Sequence, residues 1–228
     1  MQGDPIGAVL FDMDGTLFDS ERLWDVSLEE LATGLGGTLS PAARLAVVGS
    51  NLIDTVRMVH ADVGVDGDHL QSARWLLQRT RELFAEGVPW RPGAEQLLDA
   101  VRSAGVPTAL VTGSYRSLVE VVLGQLAPDT FDVVVCGDEV TKPKPDPEPY
   151  LAAAATLDLD PRRCVALEDS ANGIASATAA GCLVVAVPED PLTLPDGHTA
   201  IVAELDGLTV DRLGDWLAAS TLRSETLR

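Results

Sequence analysis

The stretch Val9-Leu10-Phe11-Asp12-Met13-Asp14-Gly15-Thr16-Leu17-Phe18-Asp19-Ser20 decides how the rest of the chain is read. An apolar run from Ile6 to Phe11 has the composition of a buried strand, and it stops on two carboxylates with a glycine directly behind them. Side chains of an extended backbone alternate in direction, so Asp12 and Asp14 can converge on one ligand while Gly15 lets the chain turn away. Paired oxygen donors at one strand end suit a hard cation and a phosphoryl group.

Downstream of this stretch the period changes from strand to helix. Ser20 is placed to cap a helix in which Trp24, Leu28, Leu31 and Leu35 recur at helical spacing until Gly36-Gly37. Ser40-Pro41 supplies a cap and a first-turn proline for a second helix, which continues through Leu45 and Val48. The stripes Leu52, Val56, Val59, Val63 and Leu70, Ala73, Leu77, Thr80 to Leu83 complete a bundle of four helices. Val88-Pro89-Trp90-Arg91-Pro92-Gly93 ends it, because two prolines and a glycine in six residues do not fit inside a helix.

Beyond that break short apolar strands alternate with helices. Helices are expected at Ala94 to Ser103, Arg116 to Leu126, Glu148 to Leu157 and Asn172 to Ala180. Strands are expected at Pro107 to Val111, Phe131 to Val135, Cys164 to Leu167 and Leu183 to Val187. A short strand at Ala200 to Ala203, a closing helix at Leu208 to Ala219 and a fraying tail from Ser220 finish the chain. The pattern predicts an α/β fold: a doubly wound parallel-sheet (Rossmann-like) core, residues 1–19 and 90–228, interrupted by a helical bundle, residues 20–89.

With 228 residues and 46% hydrophobic content, the chain can build one large core or a core with an insertion, and disorder is excluded as the default. The formal charge is −19, from 35 acids and 16 bases, and no Lys/Arg-rich run interrupts it. Sequence-independent nucleic-acid binding is therefore not expected, and any phosphorylated substrate must be held locally by a cation and a few well-placed bases. Cys136, Cys164 and Cys182 lie in or beside apolar runs, as buried thiols do in a reducing compartment. Met1 to Pro5 carry no basic segment leading into an apolar core, and no apolar run reaches about 18 residues. A soluble, cytoplasmic monomer with no membrane partner is expected.

Asp-Met-Asp-Gly-Thr after an apolar strand resembles the first motif of the haloacid dehalogenase superfamily, whose members mostly transfer phosphoryl groups through an aspartyl phosphate. The resemblance implies a nucleophilic Asp12, a general acid/base Asp14, and Mg2+ held by Asp12 and the backbone carbonyl of Asp14. Chemistry agrees: an ionised carboxylate is a competent nucleophile, and neighbouring acids divide roles when their surroundings differ. Thr112-Gly113-Ser114, after the strand ending at Val111, resembles the second motif, a hydroxyl with backbone N–H groups for phosphate oxygens. In Thr141-Lys142-Pro143-Lys144-Pro145-Asp146-Pro147, the family's Lys-Pro-x-Pro-Asp pattern selects Lys142 over Lys144 as the base that offsets charge on nucleophile and phosphate. Glu168-Asp169 resemble the last motif, Asp169 as a direct Mg2+ ligand and Glu168 as a ligand directly or through water. All four motifs fall after predicted strands, where open α/β sheets bind ligands. Residues 20–89 resemble the helical cap of this superfamily.

What the resemblance implies is a Mg2+-dependent phosphatase for small-metabolite phosphomonoesters, sugar phosphates first among them. Phe18 to Trp24 resembles the opening of bacterial hexose-phosphate phosphatases. The alternatives are a phosphosugar mutase of the beta-phosphoglucomutase kind and a non-catalytic domain that binds Mg2+ or a partner. Such mutases carry a His and an Arg in the cap where Trp24 and Leu52 stand here, and a basic residue directly after the position of Ser114, where Tyr115 precedes Arg116. The dehalogenases lack an acid at the position of Asp14, which disfavours carbon–halogen hydrolysis. Gly49, Ser50 and Asn51, with Asp54 and Thr55, are expected to face the substrate from the cap, and Arg116 to approach the phosphate near Ser114. Trp24 is assigned to core packing, and His60, His69 and His198 to solvent. Trp90 and Arg91 are read as a hinge or a rigid linker.

Overall fold

In the computed structural model, which describes residues 6–188 and 198–226, β1 (Ala8–Phe11) is buried at every position. It pairs in parallel with β2 (Thr108–Val111) on one side and β4 (Cys164–Glu168) on the other. With β3 (Val133–Val135), β5 (Leu183–Ala186) and β6 (Ala200–Ile201), the sheet has six parallel strands in the order β3-β2-β1-β4-β5-β6. The chain winds outward from β1 to β3, then returns to the other side of β1. The crevice at the carboxyl ends of β1, β2 and β4 is therefore the topological switch point.

Strand alternation sorts the core into two layers. Val9, Phe11, Leu110, Val165 and Val185 face one side, where α5 (Ala94–Ser103), α6 (Arg116–Leu123) and α9 (Val210–Thr226) cover them with Leu97, Leu118 and Leu213. Ala8, Leu10, Ala109, Ala166 and Ala186 face the other side, under α7 (Glu148–Thr156) and α8 (Ala171–Ala180). Small residues on this second face let Tyr150, Ala153 and Ala177 of the two helices approach the strands closely. Both faces are thus apolar, as a parallel sheet requires.

Between β1 and α5 the chain forms α1 (Glu21–Gly34), α2 (Pro41–Val47), α3 (Leu52–Val63) and α4 (His69–Ala85). Leu28, Leu31, Val56, Val59 and Leu76 give them an apolar cluster of their own. The two linkers to the sheet run side by side: Asp19 N–H donates to Pro89 C=O at 2.8 Å, Arg91 N–H donates to Leu17 C=O at 2.8 Å, and the rings of Phe18 and Trp90 stack with centroids 4.3 Å apart. α4 also leans on the sheet layer, where Gln125 Nε2 donates to Phe84 C=O at 2.8 Å.

Most elements fall where the sequence places them, including the Ser40 cap of α2, whose Oγ accepts from Ala43 N–H at 3.1 Å. Ser20 differs: its backbone is already helical at φ −87° and ψ −16°, its side chain makes no cap hydrogen bond, and its hydroxyl donates to Asp14 at 2.7 Å. The closing helix runs to Thr226, past the expected fraying point at Ser220. His60 is buried, with Nε2 2.8 Å from Ser72 Oγ, which corrects its assignment to solvent; it lies on the inner face of the α3 stripe, one residue after Val59. The three cysteines are free and buried, as expected. The expectation for Met1 to Pro5 lies outside the described residues. No helix among the described residues is long and apolar enough to cross a membrane.

Gly93 caps α5 at φ +77°, and a Cβ there would collide with the backbone of Leu205 and Asp206. Gly105 has a similar φ of +70° but open space around it. Gly105→Ala is expected to lose about 1–2 kcal/mol of unfolding free energy from the left-handed backbone alone. Gly93→Ala is expected to lose about 1–3 kcal/mol more from the clash. Urea denaturation of both variants measures the difference.

Candidate active site

Register brings the acids together. Phe11 pairs with Leu167, and Asp12 N–H donates to Leu167 C=O at 3.0 Å, so Asp12 and Glu168 emerge side by side from adjacent strands. Asp169 follows at once, and Asp12, Glu168 and Asp169 each offer an oxygen within 4.8 Å of the others. Two glycines make this possible. Gly15, at φ +78°, faces the Asp169 carboxylate so closely that a Cβ would collide with it, and a Cβ on Gly173 would fall into the Glu168 carboxylate. Thr16 Oγ1 donates to Asp169 Oδ1 at 3.3 Å.

One ammonium sits among these acids, and it belongs to Lys144. Its Nζ donates to Asp12 Oδ1 at 2.7 Å, to Val111 C=O at 2.9 Å and to Glu168 Oε1 at 2.5 Å, with the side chain 8% exposed. Tyr150 closes the arrangement from α7: its hydroxyl donates to the same Glu168 oxygen at 2.6 Å, and its ring lies 5.2 Å from Lys144 Nζ.

Lys142, the base selected from the sequence, is 70% exposed and pairs with Asp146 at 3.7 Å. The backbone N–H groups of Thr141 and Lys142 both donate to the Glu148 carboxylate, which fastens that part of the loop to the start of α7 and leaves the Lys142 side chain outside. The Lys-Pro-x-Pro pattern occurs here in two overlapping registers, one starting at each lysine. Only the second reaches the acids.

Asp14 stands apart from the three-acid cluster. Its Oδ1 accepts from Ser20 Oγ at 2.7 Å and Trp24 Nε1 at 3.2 Å, and its Oδ2 accepts from Ser114 Oγ at 2.7 Å and Thr112 Oγ1 at 3.3 Å. Thr112 also accepts from Ser114 N–H at 3.0 Å. The carboxylate thus joins α1 to the loop after β2. Trp24 does more than pack: its ring meets Phe84 edge-on at 6.2 Å while its indole N–H reaches Asp14.

Asp12, Asp14, Thr112, Gly113, Ser114 and Asp169 line one cavity of about 320 Å³, together with Gly49, Ser50 and Asn51 from the helical segment. Asn172 Nδ2 donates to Gly49 C=O at 2.8 Å, tying that loop to α8. Arg116 is not among the lining residues. Its guanidinium is drawn away by Glu139, with Nε donating to Oε1 at 2.7 Å, and by Val134 C=O at 3.0 Å, so it does not face the cavity as expected.

Burial pushes the Asp12 carboxyl up to about 8, against the pull of Lys144 and with the push of Glu168 and Asp14. Burial likewise lifts Asp169 well above the carboxylate range, aided by Asp12 and Glu168. Burial alone would lower Lys144, but Asp12 and Glu168 outweigh it and hold the ammonium above its ordinary range. Three carboxylates gathered within 4.8 Å of one another, two of them on Lys144 and the third without an ammonium, offer only oxygen donors and fit a hard divalent cation.

A family model described as haloacid dehalogenase-like hydrolase matches residues 6–181. Hexitol phosphatase A of Escherichia coli is 35% identical over 186 residues, covering 78% of this chain and 81% of that protein. Hexitol phosphatase B of Escherichia coli is 33% identical over 184 residues, covering 79% and 83%. The crystal structure of CbbY from Rhodobacter sphaeroides in complex with phosphate aligns with a TM-score of 0.79 at 28% identity, covering 89% of this chain and 96% of that one.

The lysine geometry sets the stability of the site. Lys144→Ala leaves Asp12 and Glu168 buried without their cation, with an expected cost of about 3–5 kcal/mol at pH 8 and less at pH 5, where Asp12 takes up a proton. Lys142→Ala is expected to stay within about 0.5 kcal/mol of the parent. Urea titrations at both pH values check this. Asp12 and Asp169 hold protons in the folded protein at pH values where the unfolded chain has lost them. Their contribution to the metal-free protein is therefore fully present below about pH 4 and fades as pH rises toward 8. Lys144, raised above its usual value, changes nothing in this window. In EDTA, melting scans should give a lower Tm at pH 8 than at pH 5, and Asp12→Asn should flatten that slope.

Proposed function

The chain belongs to the haloacid dehalogenase-like hydrolases, and from that membership and the geometry of the site we propose a Mg2+-dependent phosphatase that hydrolyses sugar phosphates and related small phosphomonoesters through an aspartyl phosphate. The observation that carries this reading is the convergence of Asp12, Lys144, Glu168 and Asp169 at the carboxyl ends of β1 and β4, with Asp14, Thr112 and Ser114 beside them. The relatives named as hexitol phosphatases point to the same substrate class. Residues 20–89 are proposed as a cap over a core formed by residues 1–19 and 90–228.

An Asp12 carboxylate oxygen attacks phosphorus in line; its bond to phosphorus forms as the bond to the leaving oxygen breaks. Asp14 delivers a proton to that oxygen, then accepts one from the water that hydrolyses the aspartyl phosphate. Its partners Ser20, Trp24, Thr112 and Ser114 orient the carboxyl, and the hydroxyls of Ser114 and Thr112, which line the cavity, would turn to phosphate oxygens when substrate is bound. Lys144 restrains the nucleophile and offsets charge beside it, the role that the family resemblance implies for Lys142. Asp12, Glu168 and Asp169 would hold Mg2+, with the backbone carbonyl of Asp14 as the further ligand implied by the family. When bound, the ion supplies Lewis-acid stabilisation of phosphoryl charge.

The test is phosphate release from hexose and hexitol phosphates with Mg2+. Asp12→Asn is expected to abolish turnover, Lys144→Ala to lower kcat at least 100-fold, and Lys142→Ala to change it less than threefold. EDTA should stop the parent enzyme and added Mg2+ restore it. Undiminished turnover by Asp12→Asn would remove the aspartyl-phosphate route.

A further inference from the structure

The cavity has two walls of different chemistry. The sheet side supplies Asp12, Asp14, Thr112, Ser114, Lys144 and Asp169. The helical side supplies an apolar surface in which Leu28, Leu45, Val48, Leu52 and Leu77 take part. Polar groups on that side are already engaged: Ser50 Oγ donates to Val47 C=O at 2.8 Å and lies 2.5 Å from Thr55 Oγ1, while Asn51 caps α3 through Asp54.

Among the described lining residues, the cations are Lys144 and Arg44. An ammonium has three protons, and those of Lys144 go to Asp12, Glu168 and Val111 C=O. The Arg44 guanidinium lies between two carboxylates, with Nη1 2.8 Å from Asp25 and Nη2 2.7 Å from Glu29. Its single charge is more than offset by that pair, of which Asp25 itself lines the cavity, and Glu21 adds a further carboxylate to the lining nearer Asp169. The helical wall is therefore apolar and net negative, a surface that repels a second anion and offers it no uncompensated cation.

Resting on the phosphatase reading, we infer that the site selects monophosphates whose leaving group is uncharged and presents an apolar face to α2 and α3, and that it rejects substrates carrying a second phosphate or a carboxylate. A bisphosphate would have to place its second phosphate against Asp25 and Glu29, which already outnumber the Arg44 guanidinium between them. Sugar carbons and hydroxyls can meet the same wall without that conflict.

Matched pairs isolate the effect: glucose 6-phosphate against glucose 1,6-bisphosphate, and 2-hydroxyethyl phosphate against phosphoglycolate, each pair differing by one anionic group. With Mg2+, kcat/KM for the second member of each pair is expected to be at least 30-fold lower. Leu45→Lys, at an exposed position in the cavity lining, should shrink the ratio for the hexose pair at least fivefold. Ratios within threefold of unity in the parent enzyme would overturn the inference while leaving the phosphatase reading intact. Calorimetry on Asp12→Asn with Mg2+ gives the same comparison without turnover: tighter binding of glucose 6-phosphate than of the bisphosphate supports the inference, and equal or reversed affinities overturn it. Absent turnover of every compound by the parent enzyme, with that binding order preserved, would sink the phosphatase reading alone.

Discussion

Everything at the carboxyl end of the sheet depends on one buried ion pair with a shared cation, Lys144 between Asp12 and Glu168. Ionised carboxylates buried without a cation cost several kcal/mol each, so the ammonium is what favours Asp12 and Glu168 side by side in their charged form. The sheet supplies the acids through the register of β1 and β4, and a proline-dense loop supplies the base. Tyr150 from α7 and the missing side chain at Gly173 then hold Glu168 against Lys144. The pair is only half a compensation: Asp169 has no ammonium of its own, and burial leaves both it and Asp12 reluctant to ionise. A further positive charge, such as the proposed Mg2+, would complete the compensation at these three acids.

Asp14 serves a different purpose because it faces the other way. Its four hydrogen-bonding partners come from α1 and its cap position and from the loop after β2. The acid is thereby set by contacts to both the sheet layer and the helical segment, whereas Asp12 is set within the sheet layer alone. Two carboxylates separated by one residue thus acquire unlike surroundings, the physical condition for dividing nucleophile from acid/base. The paired linkers at Phe18 and Trp90 keep the entry and exit of the helical segment together beside this point.

The doubly wound sheet, the helical segment and the acids at the ends of β1 and β4 were legible in the sequence, because hydrophobic period and strand-end carboxylates are local signals. What escaped were choices made by tertiary geometry. Lys142 and Lys144 sit in overlapping copies of the same short pattern, and only the anchoring of the loop by Glu148 decides which one turns inward. Arg116 looked available until β3 and its following turn placed Glu139 against it. His60 sits beside Val59 in an apolar stripe, a local signal of its burial. The spacing of Trp24 indicates packing, and the indole N–H adds a hydrogen bond that period alone does not reveal.

The charge of the whole molecule sharpens the problem the site has to solve. A chain of formal charge −19 repels phosphate at a distance, and the cavity lining adds Asp12, Asp14, Glu21, Asp25 and Asp169 at close range. Lys144 cannot answer this alone, since its protons are already directed at the protein. Nor can Arg44, which Asp25 and Glu29 neutralise. Under the proposed function, attraction for a phosphoryl group falls to the cation that Asp12, Glu168 and Asp169 would gather, and the rest of the cavity would repel any further anion. The distribution of charge that would make the inner end of the cavity rely on the proposed Mg2+ would also make its outer end selective for uncharged groups.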